Sequence, residues 1–498
     1  MPALVPFLWL ALGALLQIFN GGRWTIAAAA WLAPVFLLHF SRRQKPVRGM
    51  IWLGFALLAT IYISYRGLIP APALATAAIC ALIALAALIP YLADRLLFPR
   101  LPGFLSTIVF PLTWAVADFA AARLSPYGTW GSAAYTQYGN LPLMQWASVT
   151  GTPGIAFLIA WFASVLNWAW DRKFEWRKVR TGLVVYAAVW SLAMMLGGAR
   201  LVFSPAPQTS VRTATIAWPE GIMGQPEFLR ALEPNLSNDE RDELSTAFAR
   251  IHDRFVEATR IEARAGAQIV VWPEATAMVF DKDEPALLGR ARDVAREENV
   301  YLLIGVGTVF PDTERPFENK AVLIDPAGAL VLSYAKAIPV PGFEAGISRC
   351  GKPVIQTQNS PFGKIAAAIC FDLDFPSFIR QVGTANADLL LVPASDWEAI
   401  KLAHHVSATF RAIENGVTLV RATRWGLSAA VDPYGRLLGQ LDAFSAPNQN
   451  MVAQVPVSGA RTIYARFGDW FAWLCVAGFL ALLVWRPGGV TNGEYLSG

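Results

Sequence analysis

The chain has 498 residues, of which 55% are hydrophobic and only 15% charged, and its mean hydropathy is +0.41. Such a composition excludes an ordinary soluble protein and requires several membrane-spanning segments. A formal net charge of +5 over this length provides no strongly basic face, so no nucleic-acid partner is expected.

Long apolar runs occupy residues 3–19, 24–40, 50–65, 71–92, 104–122, 153–170, 181–203 and 467–485, and each is expected to span the bilayer as a helix. The first has no basic segment before it and no small-residue cleavage site after it, so it reads as a retained helix, not a signal peptide. Basic residues gather in alternate loops. Arg42, Arg43, Lys45 and Arg48 lie between the second and third runs, and Arg95 and Arg100 between the fourth and fifth. Arg172, Lys173, Arg177, Lys178 and Arg180 lie between the sixth and seventh. The remaining loops carry little beyond Arg23, Arg66 and Arg123. By the positive-inside rule the rich loops are cytoplasmic. The expected layout is a helical bundle over residues 1–203, an extracytoplasmic domain over 204–462, a final span over 463–486 and a short cytoplasmic tail over 487–498.

Between the fifth and sixth runs, the loop from Ser125 to Pro142 is rich in aromatics and glycine and carries no charge. It either dips into the headgroup layer or belongs to an aromatic belt. Asp118, near the end of the fifth run, needs a partner or water at membrane depth.

After residue 204 the texture changes. Apolar, β-branched runs (Val211–Trp218, Ile269–Trp272, Val300–Val306, Ala321–Ile324, Leu330–Tyr334, Lys364–Ile369, Leu389–Val392 and Val417–Ala422) alternate with helical patterns near 238–265, 285–298, 375–384 and 400–414. Asp325-Pro-Ala-Gly328 and Asp432-Pro-Tyr-Gly435 are turn signals between paired strands. The alternation predicts a layered α/β domain.

Three residues stand just past the ends of predicted strands: Glu274 after Ile269–Trp272, Lys336 after Leu330–Tyr334 and Cys370 after Lys364–Ile369. That edge is where open α/β sheets collect their sites. Singly, they read as a loop carboxylate, a solvated ammonium and a small core residue. Together they form a chemical set. A thiol is mostly protonated at neutral pH and needs a base or a cation to become a nucleophile. Glu274 can take its proton and later return it to a leaving group. Lys336 can stabilise the thiolate and a tetrahedral oxyanion. The other cysteines, Cys80 and Cys475 in apolar runs and Cys350 in a polar loop, form no CxxC or Cys/His spacing. His39, His252, His404 and His405 form no metal pattern, so neither metal nor other cofactor is expected. Nothing in the spacing supports a Cys350–Cys370 disulfide.

On Trp272-Pro-Glu274, Tyr334-Ala-Lys336 and Ile369-Cys370-Phe-Asp-Leu-Asp-Phe-Pro376 the domain resembles the nitrilase (carbon–nitrogen hydrolase) superfamily. The resemblance implies an α-β-β-α sandwich and a Glu-Lys-Cys triad. The flanking spans extend it to the bacterial apolipoprotein N-acyltransferase family, through Pro111-Leu-Thr-Trp-Ala-Val-Ala-Asp118, the aromatic loop before Pro142, and Arg411-Ala-Ile-Glu-Asn-Gly416. It implies a monomeric inner-membrane enzyme. Cys370 would take an acyl chain from the sn-1 ester of a phospholipid as a thioester and pass it to the N-terminal amine of a diacylglyceryl lipoprotein. Glu344, in Pro341-Gly-Phe-Glu344, matches a further family glutamate that would hold Lys336 or polarise the incoming amine. Phe371, Asp372, Trp397 and Trp425 are expected to contact substrate.

Four features depart from the family pattern. Phe371-Asp372 stand where Tyr-Glu is usual, and Arg424-Trp425 replace an Asn-containing turn before Gly426-Leu-Ser428. Ala217-Trp-Pro-Glu220 lacks the usual polar signature, and Phe280-Asp-Lys-Asp-Glu-Pro285 is an individual acidic turn. These leave room for a membrane-tethered amidase, or for an acyltransferase with another acceptor. A non-catalytic scaffold would have no need of all three triad residues.

Overall fold

The structure, a computed structural model, describes residues 5–69, 71–218 and 229–484. The tail after Arg486 and the Pro219-Glu220 part of the departing motif lie outside the described residues.

The first part of the chain is helical: α1 (Val5–Gln17), α2 (Ala27–Arg43), α3 (Pro46–Tyr65), α4 (Ala73–Leu97), α5 (Val109–Leu124), the short α6 (Leu141–Met144) and α7 (Ala147–Thr150), α8 (Thr152–Asp171) and α9 (Trp176–Val202). A small hairpin of β1 (Asn20–Gly21) and β2 (Trp24–Thr25) separates α1 from α2. Among the described residues five helical stretches are long and apolar enough to cross a membrane: Pro46–Tyr65, Ala73–Arg100, Gly103–Leu124, Thr152–Asp171 and Trp176–Val202. The helix α8 is the central post, 83% buried over its apolar window, whereas those of α4 and α9 are 22% buried and leave apolar faces for lipid.

Among the described residues, three of the eight expected crossings are shorter. The helices α1, α2 and Trp470–Val484 have 13, 17 and 15 residues, roughly 20–25 Å at the α-helical rise, against a hydrocarbon core of about 30 Å. Local chemistry explains the shortening. The β1–β2 hairpin takes up residues 20–25, and Gly468, at φ 63°, breaks the helix between Phe467 and Trp470.

The second part is built on strands β3 (Ser210–Thr215), β4 (Ile269–Val271), β5 (Ala277–Phe280), β6 (Tyr301–Val309), β7 (Phe317–Ile324), β8 (Leu330–Ala335), β9 (Thr357–Ser360), β10 (Gly363–Ala367), β11 (Leu389–Ala394), β12 (Thr418–Thr423), β13 (Leu427–Val431), β14 (Leu437–Asp442) and β15 (Met451–Pro456). Among the described residues they form two large sheets, ordered β15-β3-β4-β6-β7-β8, with β5 beside β6, and β14-β13-β12-β11-β10-β9. Their centres are parallel: β3, β4 and β6 in the first, β10, β11 and β12 in the second.

Alternation along the strands sets the layers. Ile269, Val271 and Leu303 of the first sheet share a core with Ile365, Ala367, Leu389 and Leu391 of the second. The intervening Val270, Leu302 and Ile304 pack with Phe248 and Phe255 of α10 (Asn238–Arg264) and Ala291 and Val294 of α11 (Glu284–Glu297). A capping box starts α10: Ser237 Oγ accepts from Glu240 N at 3.3 Å and Glu240 Oε2 accepts from Ser237 N at 2.9 Å. Ile379 and Val382 of α12 (Pro376–Thr384) and Ala408 and Ala412 of α13 (Lys401–Asn415) pack on the second sheet. The chain then passes through α14 (Ile463–Phe467) to α15 (Trp470–Val484), which returns to pack on the bundle.

The helix α13 joins the two parts. Every residue from His404 to Asn415 is buried. Val406, Phe410 and Ile413 pack with Ala133, Ala134, Met144 and Ile155 of the bundle, while Ala408 and Ala412 face the sheet core.

Candidate active site

The strand ends converge as the parallel topology dictates. Beyond β4, Trp272 is fully buried against Phe255, with ring centroids 5.0 Å apart, and its Nε1 donates to Thr259 Oγ1 at 2.9 Å. With the strand end anchored, Glu274 turns into the site and Ala275 follows in the left-handed region at φ 49°. The turn lies so close to β6 that a Cβ on Gly305 would stand 2.1 Å from the Pro273 carbonyl oxygen. Only glycine fits there. The Glu274 amide donates across to Ala394 O of the other sheet at 3.4 Å.

Lys336 directly follows β8. Its Nζ donates to Glu274 Oε1 at 2.8 Å and to Glu344 Oε2 at 2.7 Å. Asn319 of β7 donates to both carboxylates, at 2.7 Å to Glu274 Oε1 and 3.3 Å to Glu344 Oε1. Glu344 Oε2 also accepts from Val340 N at 2.9 Å. Of the two tasks open to Glu344, the geometry serves the first: it holds Lys336. Burial works against the ammonium, but Glu274 and Glu344 outweigh it and keep Lys336 charged, well above the ordinary lysine range.

Cys370 sits at the sharp exit from β10, with φ 43°, and opens the 3-10 turn Cys370–Asp374. A left-handed non-glycine residue is strained by about 1–3 kcal/mol, so the surroundings must hold it. They do so through Asp372, whose carboxylate accepts from Ile369 N at 2.9 Å, Tyr334 Oη at 2.7 Å and Ile338 N at 3.1 Å. These bonds tie the cysteine turn to the strand that carries Lys336. The thiol is buried and Sγ lies 3.6 Å from Ser395 O. Burial and the Glu274 carboxylate raise its pKa, outweighing the lowering by Lys336 and Arg421, so the resting thiol keeps its proton. All four cysteines are free thiols.

The structure therefore gathers Glu274, Lys336, Glu344 and Cys370, and gives the other four expected residues partners within the protein. Asp372, completely buried, is a brace for the turn, and burial pushes its carboxyl up to about 7. Phe371 packs edge-on against Phe375 at 5.3 Å. Trp397 donates its Nε1 to Leu68 O at 3.0 Å, stitching the domain to the bundle. Trp425 lines a cleft of about 270 Å³ with Trp218, Arg424 and Phe444. The Arg424 guanidinium there lies 4.3 Å from the Trp425 ring and 5.4 Å from that of Trp218. Burial depresses Arg424 to about 10.

The aromatic loop clamps the site. Thr129 N and Oγ1 both donate to Asp374 O, at 3.0 and 3.1 Å. Gly128 approaches so closely that a Cβ would stand 2.2 Å from that oxygen. Tyr138 Oη is 2.8 Å from His405 Nε2, and Tyr135 Oη accepts from Arg411 at 3.2 Å. Asp118 has its partner in the same loop, accepting from Ser132 Oγ at 2.9 Å.

Two groups were missed in the sequence. Asn319 gives no local signal, since it sits in the middle of an ordinary strand. Asp396, however, follows β11 as Glu274 follows β4, and the same strand-end rule would have found it. Asp396 binds Arg421 at 2.7 and 3.0 Å and His404 Nδ1 at 2.8 Å. Cys370, Asp396 and His404 each offer a ligand atom, all within 4.8 Å of one another. By distance they could hold a metal, a grouping the sequence separations conceal, but the Arg421 guanidinium already supplies a fixed positive charge to Asp396.

Two family models match the chain: the apolipoprotein N-acyltransferase N-terminal domain over residues 2–165 and the carbon-nitrogen hydrolase domain over 241–463. The chain is 29% identical to an apolipoprotein N-acyltransferase of Geobacter metallireducens over 499 aligned positions, covering 91% of this chain and 90% of that one. It is 24% identical to that of Vibrio parahaemolyticus over 513 positions, with 93% of each chain covered. An amidase structure from Nesterenkonia sp. aligns at 21% identity with a TM-score of 0.42, covering 54% of this chain and 98% of that one.

Proposed function

The chain belongs to the apolipoprotein N-acyltransferase family, membrane-anchored members of the carbon–nitrogen hydrolases, and from this premise we propose that it moves a fatty acyl chain from a phospholipid to the N-terminal amine of a diacylglyceryl lipoprotein. One observation carries the reading: a buried thiol lies within electrostatic reach of a Lys336–Glu274–Glu344 cluster, and its turn is gripped by a loop of the helical bundle. A site so placed meets substrates that arrive in the bilayer.

The chemistry runs in two halves. Cys370 Sγ passes its proton to Glu274 and attacks the sn-1 ester carbonyl, and Lys336 stabilises the oxyanion. Collapse forms the thioester and expels the lysophospholipid alkoxide, which takes the proton from Glu274. In the second half the amine attacks the thioester, Glu274 accepts its proton, and the amide leaves as Glu274 reprotonates the Cys370 thiolate. Glu344 and Asn319 keep Lys336 and Glu274 in place throughout.

The accompanying architecture in this reading is a bundle over 1–203 and a last helix over 463–486, giving eight crossings, the shorter helices being accommodated by local thinning of the bilayer and by flanking interfacial residues. The α-β-β-α sandwich of 204–462 faces outward from a bacterial inner membrane, with the 487–498 tail in the cytoplasm, and the protein acts as a monomer. A reporter enzyme that works only outside the cytoplasm, fused after Val202, is expected to be active; an inactive fusion paired with an active cytoplasmic reporter would reverse the orientation.

The function is tested with purified protein, a phospholipid and a diacylated lipopeptide. The expected products are lysophospholipid and N-acyl peptide in equal amounts. Free fatty acid without N-acyl peptide would reject the transferase reading in favour of a hydrolase.

A further inference from the structure

A second charged group surrounds Cys370, and the acyl transfer described above leaves it without a task. His404, on α13, is hydrogen-bonded through Nδ1 to Asp396 Oδ1 at 2.8 Å, and its Nε2 lies 3.4 Å from Asp374 Oδ2, within ion-pair distance but outside hydrogen-bond geometry. The ring is buried, with Trp130 of the aromatic loop edge-on at 5.2 Å and Trp397 at 6.5 Å. Asp374 also accepts from Ser407 Oγ at 2.9 Å, and Asp396 carries its two bonds from Arg421. A ring nitrogen of His404, an oxygen of Asp396 and Cys370 Sγ all lie within 4.8 Å of one another.

The distances favour a charged ring. A neutral imidazole that donated Nδ1–H to Asp396 would leave its Nε2 lone pair 3.4 Å from a carboxylate oxygen of Asp374. An imidazolium instead places a positive charge between the two acids. The charges then balance: two carboxylates, Asp374 and Asp396, face two cations, Arg421 and His404. Burial alone would strip the proton from His404, yet Asp374 and Asp396 more than offset it and hold the group above the ordinary histidine value.

We propose that His404 is a positioning residue for the nucleophile, an imidazolium that cancels the charge of Asp374 and Asp396 beside Cys370 and so allows the thiol to ionise. The proposal rests on the reading of Cys370 as the nucleophile. Around the thiol, Glu274 and Asp396 oppose ionisation, while Lys336 and Arg421 favour it, and Arg424 feels its charge as well. With His404 neutral or absent, the Asp374–Asp396 pair is left with Arg421 as its counter-charge, and the thiolate meets a net negative neighbour. Because Trp130 packs on His404 and Thr129 on Asp374, the bundle loop holds this charge network in place.

The test is alkylation of Cys370 by iodoacetamide as a function of pH, on the full-length protein in detergent, read by mass spectrometry of the Cys370 peptide. His404→Gln is expected to move the midpoint upward and slow alkylation about tenfold at a fixed pH on the rising limb. Asp374→Asn is expected to move it downward, and the double variant H404Q/D374N to return it towards wild type. An unmoved profile in H404Q that melts like wild type overturns the proposal, as does an equal upward shift in the single and double variants. Should H404Q not fold, D374N alone decides, and a midpoint unchanged or raised there overturns it. Alkylation needs no lipid, so its failure is distinct from failure of acyl transfer, which is read from acyl-adduct formation by the wild-type protein.

Discussion

Lys336→Met is expected to abolish acyl transfer and to destabilise the outer domain together. The ammonium is 5% exposed and sits between Glu274 at 2.8 Å and Glu344 at 2.7 Å. Removing it leaves two buried carboxylates facing each other without their cation. Breaking a buried ion pair in this way costs about 3–5 kcal/mol. The pH dependence has a definite sign. Lys336 is held charged above its ordinary range, so its contribution is fully present at neutral pH and is lost only as the pH rises through its folded-state value. The methionine variant should therefore melt well below wild type at neutral pH. Thermal melts across pH, with acyl transfer measured at the wild-type optimum, check both halves. A variant with wild-type stability at neutral pH would mean that the pairs are not formed.

Glu274→Gln separates the proton from the scaffold. Glutamine keeps the side-chain length and can still accept from Lys336 and Asn319, which bind Glu274 at 2.8 and 2.7 Å. It cannot carry a proton from the thiol to the leaving group. The expected loss in acyl transfer is about 10²- to 10⁴-fold, the usual worth of a general base, with a melting temperature close to wild type. Because the thiol's pKa is raised by burial and by the Glu274 carboxylate, removing that charge should also lower the pH at which Cys370 reacts with iodoacetamide. Slower transfer with easier alkylation is a combination that a merely unfolded variant would not give.

Much of this was legible in the sequence because two simple patterns carried it. Alternating apolar strands and amphipathic helices placed the sheets, and the observed β4, β6, β8, β10, β11 and β12 lie within a few residues of the expected runs. Parallel topology then brought the ends of those strands to one edge, so Glu274, Lys336 and Cys370 could be singled out from position and chemistry alone. Side-chain direction was less legible, for a physical reason. The family resemblance marked Asp372 and Trp397 as substrate contacts. Yet their polar atoms bind Tyr334, Ile338 and Ile369 in one case and Leu68 in the other. Which way a loop side chain turns depends on partners far along the chain. The network of His404, Asp396 and Arg421 spans three separate elements, and the grip of Thr129 on Asp374 joins the bundle to the domain across 245 residues.

Incubation of the protein with a phospholipid of defined acyl chains, without acceptor, followed by mass spectrometry of the intact protein and its peptides, reads the acyl-enzyme itself. One acyl group is expected, located on Cys370 as a hydroxylamine-sensitive thioester, absent from Cys370→Ala and discharged when a diacylated lipopeptide is added. An adduct on any other residue, or N-acylation of the lipopeptide by Cys370→Ala, would contradict it.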